Sequence, residues 1–239
     1  MPQNVMITGT GRSYALGYNL VLRYLEAGDN VVATVRKDSE ALFRLKGQYG
    51  ERLHIVYMDI SSTESVERAA SEVEAEIDHL DLLINNAVLS ALGMEEDFLH
   101  ADMDSILETL NVSAVGTMRV MKAFYPLLKK GEGVSLIINI SSEAGSITRC
   151  YRSNYLDYAM AKAAVNMGTM TFFNDTKDDP GINIFCVHPG WIRTDGREDN
   201  PAPLSPYDAA ETLRLLFERR RCDKEGHRFI TYEGEDYPF

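Results

Sequence analysis

The sequence predicts a doubly wound α/β fold, a mainly parallel seven-stranded sheet with helices on both faces. Three observations carry that expectation. Short β-rich runs alternate with longer helical ones along the chain. A length of 239 residues suits one such sheet in a single domain, residues 1–239. Neither a solenoid repeat nor an interdomain linker interrupts the alternation. Strands separated by helices imply parallel neighbours and a sheet covered on both sides.

The elements follow in order. Residues 5–8 read as a strand, followed by a glycine-bearing loop and an apolar helix through Leu16, Leu20, Val21 and Leu25, which Gly28 stops. Residues 30–35, 53–58 and 82–85 read as the next three strands, each preceded by a stretch of helical character. Residues 134–140 and 182–187 continue the series, and residues 228–230 add an edge strand. Right-handed crossovers place a ligand at the carboxyl ends of the strands, where the strand order reverses. The proline-rich segment 200–206 is expected to lie there as a loop over the site.

Composition narrows the function classes. A formal charge of -12 repels phosphate backbones and anionic lipid, so neither nucleic acid nor a membrane is an expected partner. The basic cluster Arg219, Arg220 and Arg221, beside Glu218 and Asp223, reads as a solvated helix end. Cys150, Cys186 and Cys222 have neither metal-ligand nor redox spacing, so no metal is expected and a reducing compartment fits. The first residues run directly into a strand without a leader pattern, and no run approaches the roughly 18 apolar residues of a membrane span. A cytoplasmic location is expected.

The loop after the first strand carries Gly9, Gly11, Arg12, Ser13, Leu16 and Gly17. Glycines at a strand-to-helix turn let the backbone approach a pyrophosphate at a helix N-terminus. The second strand ends in Val35, Arg36 and Lys37, where a dinucleotide fold usually has an acid for the adenosine 2′-hydroxyl. A guanidinium pairs with a 2′-phosphate, so Arg36, helped by Arg12 or Lys37, favours NADP(H) over NAD.

Tyr158 and Lys162 are four residues apart and share a helix face. An ammonium beside a phenol is expected to lower its pKa from about 10. A positioned phenol can protonate the oxygen of a carbonyl that receives a hydride, help typically worth about 10²–10⁴ in rate. Ser142 offers that oxygen a second hydrogen bond, and Lys162 also grips the cofactor ribose.

The ordered set resembles the short-chain dehydrogenase/reductase family over essentially the whole chain. The set comprises Thr8-Gly9, Asp59-Ile60, Asn85-Asn86-Ala87, Asn111, the Ser142, Tyr158 and Lys162 group, and the run from Pro189 to Thr194. The resemblance implies a Rossmann-like fold and hydride transfer between NADP(H) and a small carbonyl or alcohol substrate. It implies that Asp59 and Ile60 flank the adenine and that Asn86 and Ala87 line the cofactor. Ile192 and Thr194, in the Pro189-Gly190 segment, would hold the nicotinamide amide or phosphates, and Asn111 a water that relays protons to Lys162. It further implies a homodimer or homotetramer. The runs from His188 to Asp195 and from Tyr232 to Phe239 resemble the C-factor-like and sniffer-like carbonyl reductases within that family.

Three departures leave alternatives open. The glycine loop is longer than the family's common form, which also resembles the enoyl-thioester reductases, whose tyrosine lies seven before the lysine, where Tyr155 stands. Tyr155, Tyr158 and Lys162 at helical spacing share one face, although the Asn85-to-Ala87 and Asn139-to-Ser142 segments favour Tyr158, with Tyr155 then lining the substrate pocket. Val88 replaces a glycine, and its branched side chain resists positive φ. The interval from Ser142 to Tyr158 is three residues longer than usual, so residues around Arg149 to Arg152 read equally as a substrate entrance or a surface loop. A non-catalytic NADP-binding regulator has the same fold and stays open as well.

Overall fold

The computed structural model describes residues 2–89, 97–197 and 199–239. The strands are β1 (Asn4–Ile7), β2 (Asn30–Val35), β3 (Leu53–Tyr57), β4 (Leu82–Asn85), β5 (Ser135–Ile140), β6 (Ile182–His188) and β7 (Phe229–Thr231). Between them run α1 (Leu16–Ala27), α2 (Glu40–Tyr49), α3 (Thr63–Glu76), α4 (Met103–Leu110), α5 (Gly116–Leu128), α6 (Leu156–Thr176) and α7 (Pro206–Arg220). The sheet order is β3-β2-β1-β4-β5-β6-β7, and every pairing is parallel, the edge strand β7 included. The chain reverses its direction of travel across the sheet between β1 and β4, which opens the expected crevice at their carboxyl ends.

Alternation along the central strands feeds two apolar layers. Val5, Ile7, Leu82, Ile84, Leu136 and Ile138 pack with Leu20, Val21, Leu213 and Phe217 from α1 and α7. Met6, Leu83 and Ile137 pack with Val66, Val73, Val120 and Phe124 from α3 and α5. Each fully buried side chain of this kind contributes about 1.5–3 kcal/mol. The interior therefore forms a rigid floor under the loops that emerge at the carboxyl end.

Helix starts fall into two classes. Ser39, Ser62, Asp102 and Ser205 cap α2, α3, α4 and α7 by accepting a first-turn N–H. The helices that carry the glycine loop and the Tyr158 pair, α1 and α6, have no side-chain cap. Helix α4 continues into α5 through a π-helical turn, Asn111–Val115, closed by the Gly116 N–H on the Asn111 carbonyl.

The arginine cluster after α7 is not simply solvated. Arg221 donates through Nη1 to the Asp81 carbonyl at 2.8 Å and the Val134 carbonyl at 3.2 Å, and pairs with Glu218. It ties the end of α7 to the chain entering β4 and β5. Among the described residues no helix is long and apolar enough to cross a membrane.

Candidate active site

Thr8 closes the crevice between β1 and β4. Its hydroxyl accepts from the backbone N–H groups of Asn86 and Ala87, both at 3.0 Å. The Asn86 side chain returns the contact, donating to the carbonyls of Thr8 at 2.9 Å and Gly9 at 3.2 Å. Gly9 sits at φ +72°, and a Cβ there would stand 2.6 Å from the Ala87 Cα. At Gly17 a Cβ would stand 2.6 Å from the Gly9 carbonyl oxygen. Two backbones and the start of α1 therefore meet around the Asn86 amide, whose Nδ2 would stand 2.5 Å from a Cβ on Gly17.

This end fits a dinucleotide phosphate group. The start of α1 is uncapped and has no acidic residue in its first turn, so its N–H groups and dipole favour an anion. Gly11 keeps the loop open, a Cβ there meeting only Val35 at 3.7 Å, and Arg12, Ser13, Arg36 and Lys37 are exposed around it. Leu16 is buried beneath. At the end of β3 Ile60 is buried, and Asp59 accepts from both the Ser61 hydroxyl and its N–H. The Ser61 hydroxyl, aided by its N–H and by Arg36, holds the Asp59 carboxyl below its usual value against the opposing effect of burial.

After β6, Pro189 is followed by Gly190 at φ +85°, packed against Leu204 and the Tyr232 ring. Ile192 is buried and bridges to Leu204, while Thr194 is exposed. Arg193 holds the returning segment 200–206 through the Ala202 carbonyl at 2.7 Å, so that segment does lie at the carboxyl edge.

The second cluster stands at the end of β5. Lys162 is 4% exposed, and its Nζ donates to the Ile140 carbonyl at 2.6 Å, with the Tyr158 ring centroid 5.5 Å away. Burial pulls the Lys162 amine down to about 8. Burial raises the Tyr158 pKa above the ordinary phenol value, with Glu143 adding to the rise and the neighbouring Ser142 hydroxyl and Arg152 opposing it. The expected lowering is thus corrected: burial outweighs the lowering contributions, which come from Ser142 and Arg152, and the phenol is raised.

Ser142 is fixed despite the lengthened interval that follows it. Its hydroxyl caps the short helical turn Glu143–Gly145 by accepting from Ala144. A Cβ on Gly145 would stand 2.8 Å from the Lys162 backbone, so this turn leans directly on α6. Asn166 then accepts from the Ser141 hydroxyl at 2.6 Å and donates to the Gly145 carbonyl at 3.1 Å. The extra residues are taken up beyond this turn, where Arg152 reaches back to pair with Glu143.

One sequence expectation needs revision. Tyr155 is not on a helix face with Tyr158 and Lys162: it precedes α6 in the left-handed region, φ 60° and ψ 37°, with the Arg152 guanidinium 5.3 Å over its ring. Asn111 stands at the start of the π-helical turn. Its Oδ1 accepts from Arg119 at 2.9 Å, its Nδ2 donates to the Ser61 carbonyl, and its own carbonyl is taken by Arg119 and Gly116. The side chain from this turn that meets the loop after β4 is Ser113, which accepts from the Leu89 N–H at 3.0 Å. Val88 keeps negative φ, in line with its branched side chain.

Sequence reasoning missed Thr8 as the clasp, Glu143 and Arg152 as neighbours of Ser142, and Asn166 as its anchor. A hydroxyl directly before the first glycine signals Thr8, and Asn166 one turn beyond Lys162 is a polar residue on a buried helix face. Nothing in the sequence signals the Glu143 and Arg152 pair, because the loop between them has no periodicity.

The chain is similar to known proteins throughout. It is 31% identical to an uncharacterised oxidoreductase of Schizosaccharomyces pombe over 96% of each chain. A NADPH-bound carbonyl reductase from chicken fatty liver superposes with TM-score 0.85 at 26% identity, covering 100% of this chain and 94% of that one. The carbonyl reductase Sniffer of D. melanogaster shares the fold with TM-score 0.87 at 24% identity, with both chains fully covered at 100%. The short chain dehydrogenase family model matches residues 3–204, which take in both the glycine crevice and the Tyr158 cluster, and the chain belongs to that family.

Proposed function

We propose that this oxidoreductase transfers a hydride between NADP(H) and a small carbonyl or alcohol substrate, with Tyr158 as the general acid and base. The observation that carries the reading is the convergence of Tyr158, Ser142 and Lys162 at one carboxyl strand end beside a glycine crevice suited to a dinucleotide. The NADPH bound by the chicken carbonyl reductase supports the choice of cofactor, as do the exposed guanidinium groups of Arg12 and Arg36.

When bound, the nicotinamide supplies or accepts the hydride. Backbone groups at Gly9, Gly11, Arg12 and Ser13, with Leu16 below, would hold the pyrophosphate, and Arg36 would pair with the 2′-phosphate. Asp59, Ile60, Asn86, Ala87, Pro189, Gly190, Ile192 and Thr194 complete the cleft. Tyr158 gives its phenolic proton to the carbonyl oxygen as negative charge grows there, and Ser142 holds the same oxygen. A raised phenol pKa keeps Tyr158 protonated, as a donor must be. Lys162, anchored on Ile140, places a cationic or neutral amine below the ring according to pH, because its amine titrates near 8.

Tyr158→Phe is expected to lower kcat about 10²–10⁴-fold with a panel of aldehydes and ketones while NADPH binding, followed by fluorescence, stays intact. Near-normal turnover in that variant would sink the assignment. The Tyr155 alternative loses support from the placement of its ring under Arg152, outside α6. Activity with an unsaturated thioester that depends on Tyr155 would restore it.

A further inference from the structure

One cluster beside the site is not used by this chemistry. Ser142 Oγ donates to Glu143 Oε2 at 2.5 Å, and Arg152 pairs with Glu143 Oε1. On the strand side, the Glu143 N–H donates to His188 Nδ1 at 3.3 Å, which fixes that nitrogen as an acceptor, and Nδ1 lies 3.7 Å from Glu143 Oε2. Burial pushes His188 below its usual value, so it stays neutral here. Arg152 is in turn sandwiched near the Tyr151 and Tyr155 rings, each centroid 5.3 Å from its guanidinium carbon. Arg152 and Tyr151 belong to the segment that lengthens the interval between Ser142 and Tyr158.

A serine hydroxyl has one proton. Ser142 gives it to a carboxylate, an acceptor that makes a shorter and stronger bond than a neutral oxygen does. Its oxygen accepts from the Ala144 N–H, so a proton spent on Glu143 is withheld from Tyr158, whose pKa a Ser142 hydrogen bond lowers. A phenolate at Tyr158, or an oxyanion growing on substrate, can gain the Ser142 proton only when Glu143 gives it up.

We infer that Glu143 and Arg152 are positioning residues for Ser142 and Tyr158: the carboxylate claims the single Ser142 proton, and Arg152 on the other carboxylate oxygen governs how firmly it is held. The inference rests on the reading of Ser142 and Tyr158 as the proton-handling pair. It gives the lengthened segment a role at the reacting oxygen without touching substrate. Burial opposes a charged Glu143, but the Ser142 hydroxyl and Arg152 outweigh it and keep the carboxyl below its ordinary value, so it is ionised at neutral pH.

The charges around the Tyr158 hydroxyl, among the described residues, are few enough for the effect to be read. Lys162 lies on its own helix, with Cys186 of β6 behind it; Glu143, Arg152 and Tyr155 come from the preceding segment and His188 from the end of β6. Asp157 is next in the chain and binds the Tyr158 N–H and the Thr109 hydroxyl.

The test is a titration of the cofactor-free protein labelled with tyrosine carrying carbon-13 at Cζ, the Tyr158 resonance being identified by its loss in Tyr158→Phe. Glu143→Gln removes the charge and Glu143→Ala also frees the Ser142 proton. Both are expected to increase the Tyr158 ionisation constant, by at least about threefold, with the alanine variant moving further. Arg152→Gln is expected to decrease it, and Arg152→Lys to leave it near wild type. Dispersion of the other tyrosine resonances reports the fold, and Arg152→Gln decides the matter if Glu143→Ala does not fold. Equal Tyr158 midpoints in all variants, or shifts of the same sign for Glu143→Gln and Arg152→Gln, would overturn the inference. Because no substrate enters the titration, a protein that turns over no carbonyl compound would sink the proposed function without deciding this result.

Discussion

The two halves of the site are built from different materials. Around Gly9 the surfaces that meet are mainly backbone, brought together by two glycines, one buried hydroxyl and the Asn86 amide, with an uncapped helix start aimed at the gap. Around Ser142 the parts are side chains, each held by a named partner: Ser141 by Asn166, Ser142 by Glu143, Lys162 by the Ile140 carbonyl. A backbone cradle binds what every member of the cofactor class shares, its phosphates. A side-chain cluster allows substitution to retune proton affinity without moving the chain. The first half should therefore fail sterically and the second electrostatically.

That contrast can be broken most decisively at Gly9. Alanine there must adopt φ near +72° with its methyl 2.6 Å from the Ala87 Cα, and it should lower stability by about 2–4 kcal/mol and abolish NADPH binding. Calorimetry with and without cofactor reads both effects; an alanine variant that binds normally would mean that the two backbones are not confined as described. A smaller effect is expected at Arg36. Its replacement by alanine should weaken NADPH binding roughly 10- to 100-fold, the value of a charge-assisted hydrogen bond, and leave NADH binding unchanged. Equal losses for both cofactors would move the 2′-phosphate site elsewhere.

The smallest effect concerns Lys162 and has the opposite sign for stability and activity. Burial holds its amine at about 8 against 10.5 in the unfolded chain, so the folded state disfavours the charge. Below pH 8 both states carry the proton and the penalty is fully present. Between pH 8 and 10.5 the unfolded chain binds a proton that the native state does not, so native stability rises with pH and the penalty fades. Lys162→Met should therefore be inactive yet more stable at pH 7 by about 1–2 kcal/mol, the Ile140 hydrogen bond being lost, with the gain shrinking through that window. Denaturant unfolding at pH 7 and pH 10 measures it.

Much of this was legible because it is periodic or local. Short β-rich runs marked the strands, and the four-residue spacing of Tyr158 and Lys162 placed them on one face of α6. What escaped depends on how a non-periodic segment returns. Tyr155 had helical spacing too, but the helix begins after it, and the left-handed turn sends its ring to Arg152. The π-helical turn Asn111–Val115 carries Ser113, whose hydroxyl accepts from the Leu89 N–H, a contact that no spacing in the sequence displays. Arg221 looked solvent-bound because its partners are carbonyls, which no sequence pattern displays.

The same division of the site has a consequence for the order in which the chain can assemble it. Ser141 and Gly145 meet Asn166 across 25 and 21 residues, whereas Thr8 meets Asn86 across 78. Closing the longer loop costs about 1 kcal/mol more in chain entropy, and it also requires β2 and β3 to have been set aside on the far edge first. The proton-handling cluster is thus a local product of folding and the glycine crevice a late, non-local one. A dinucleotide that binds only the closed crevice favours the completed fold by mass action. NADPH present during refolding is therefore expected to raise the yield of folded chain.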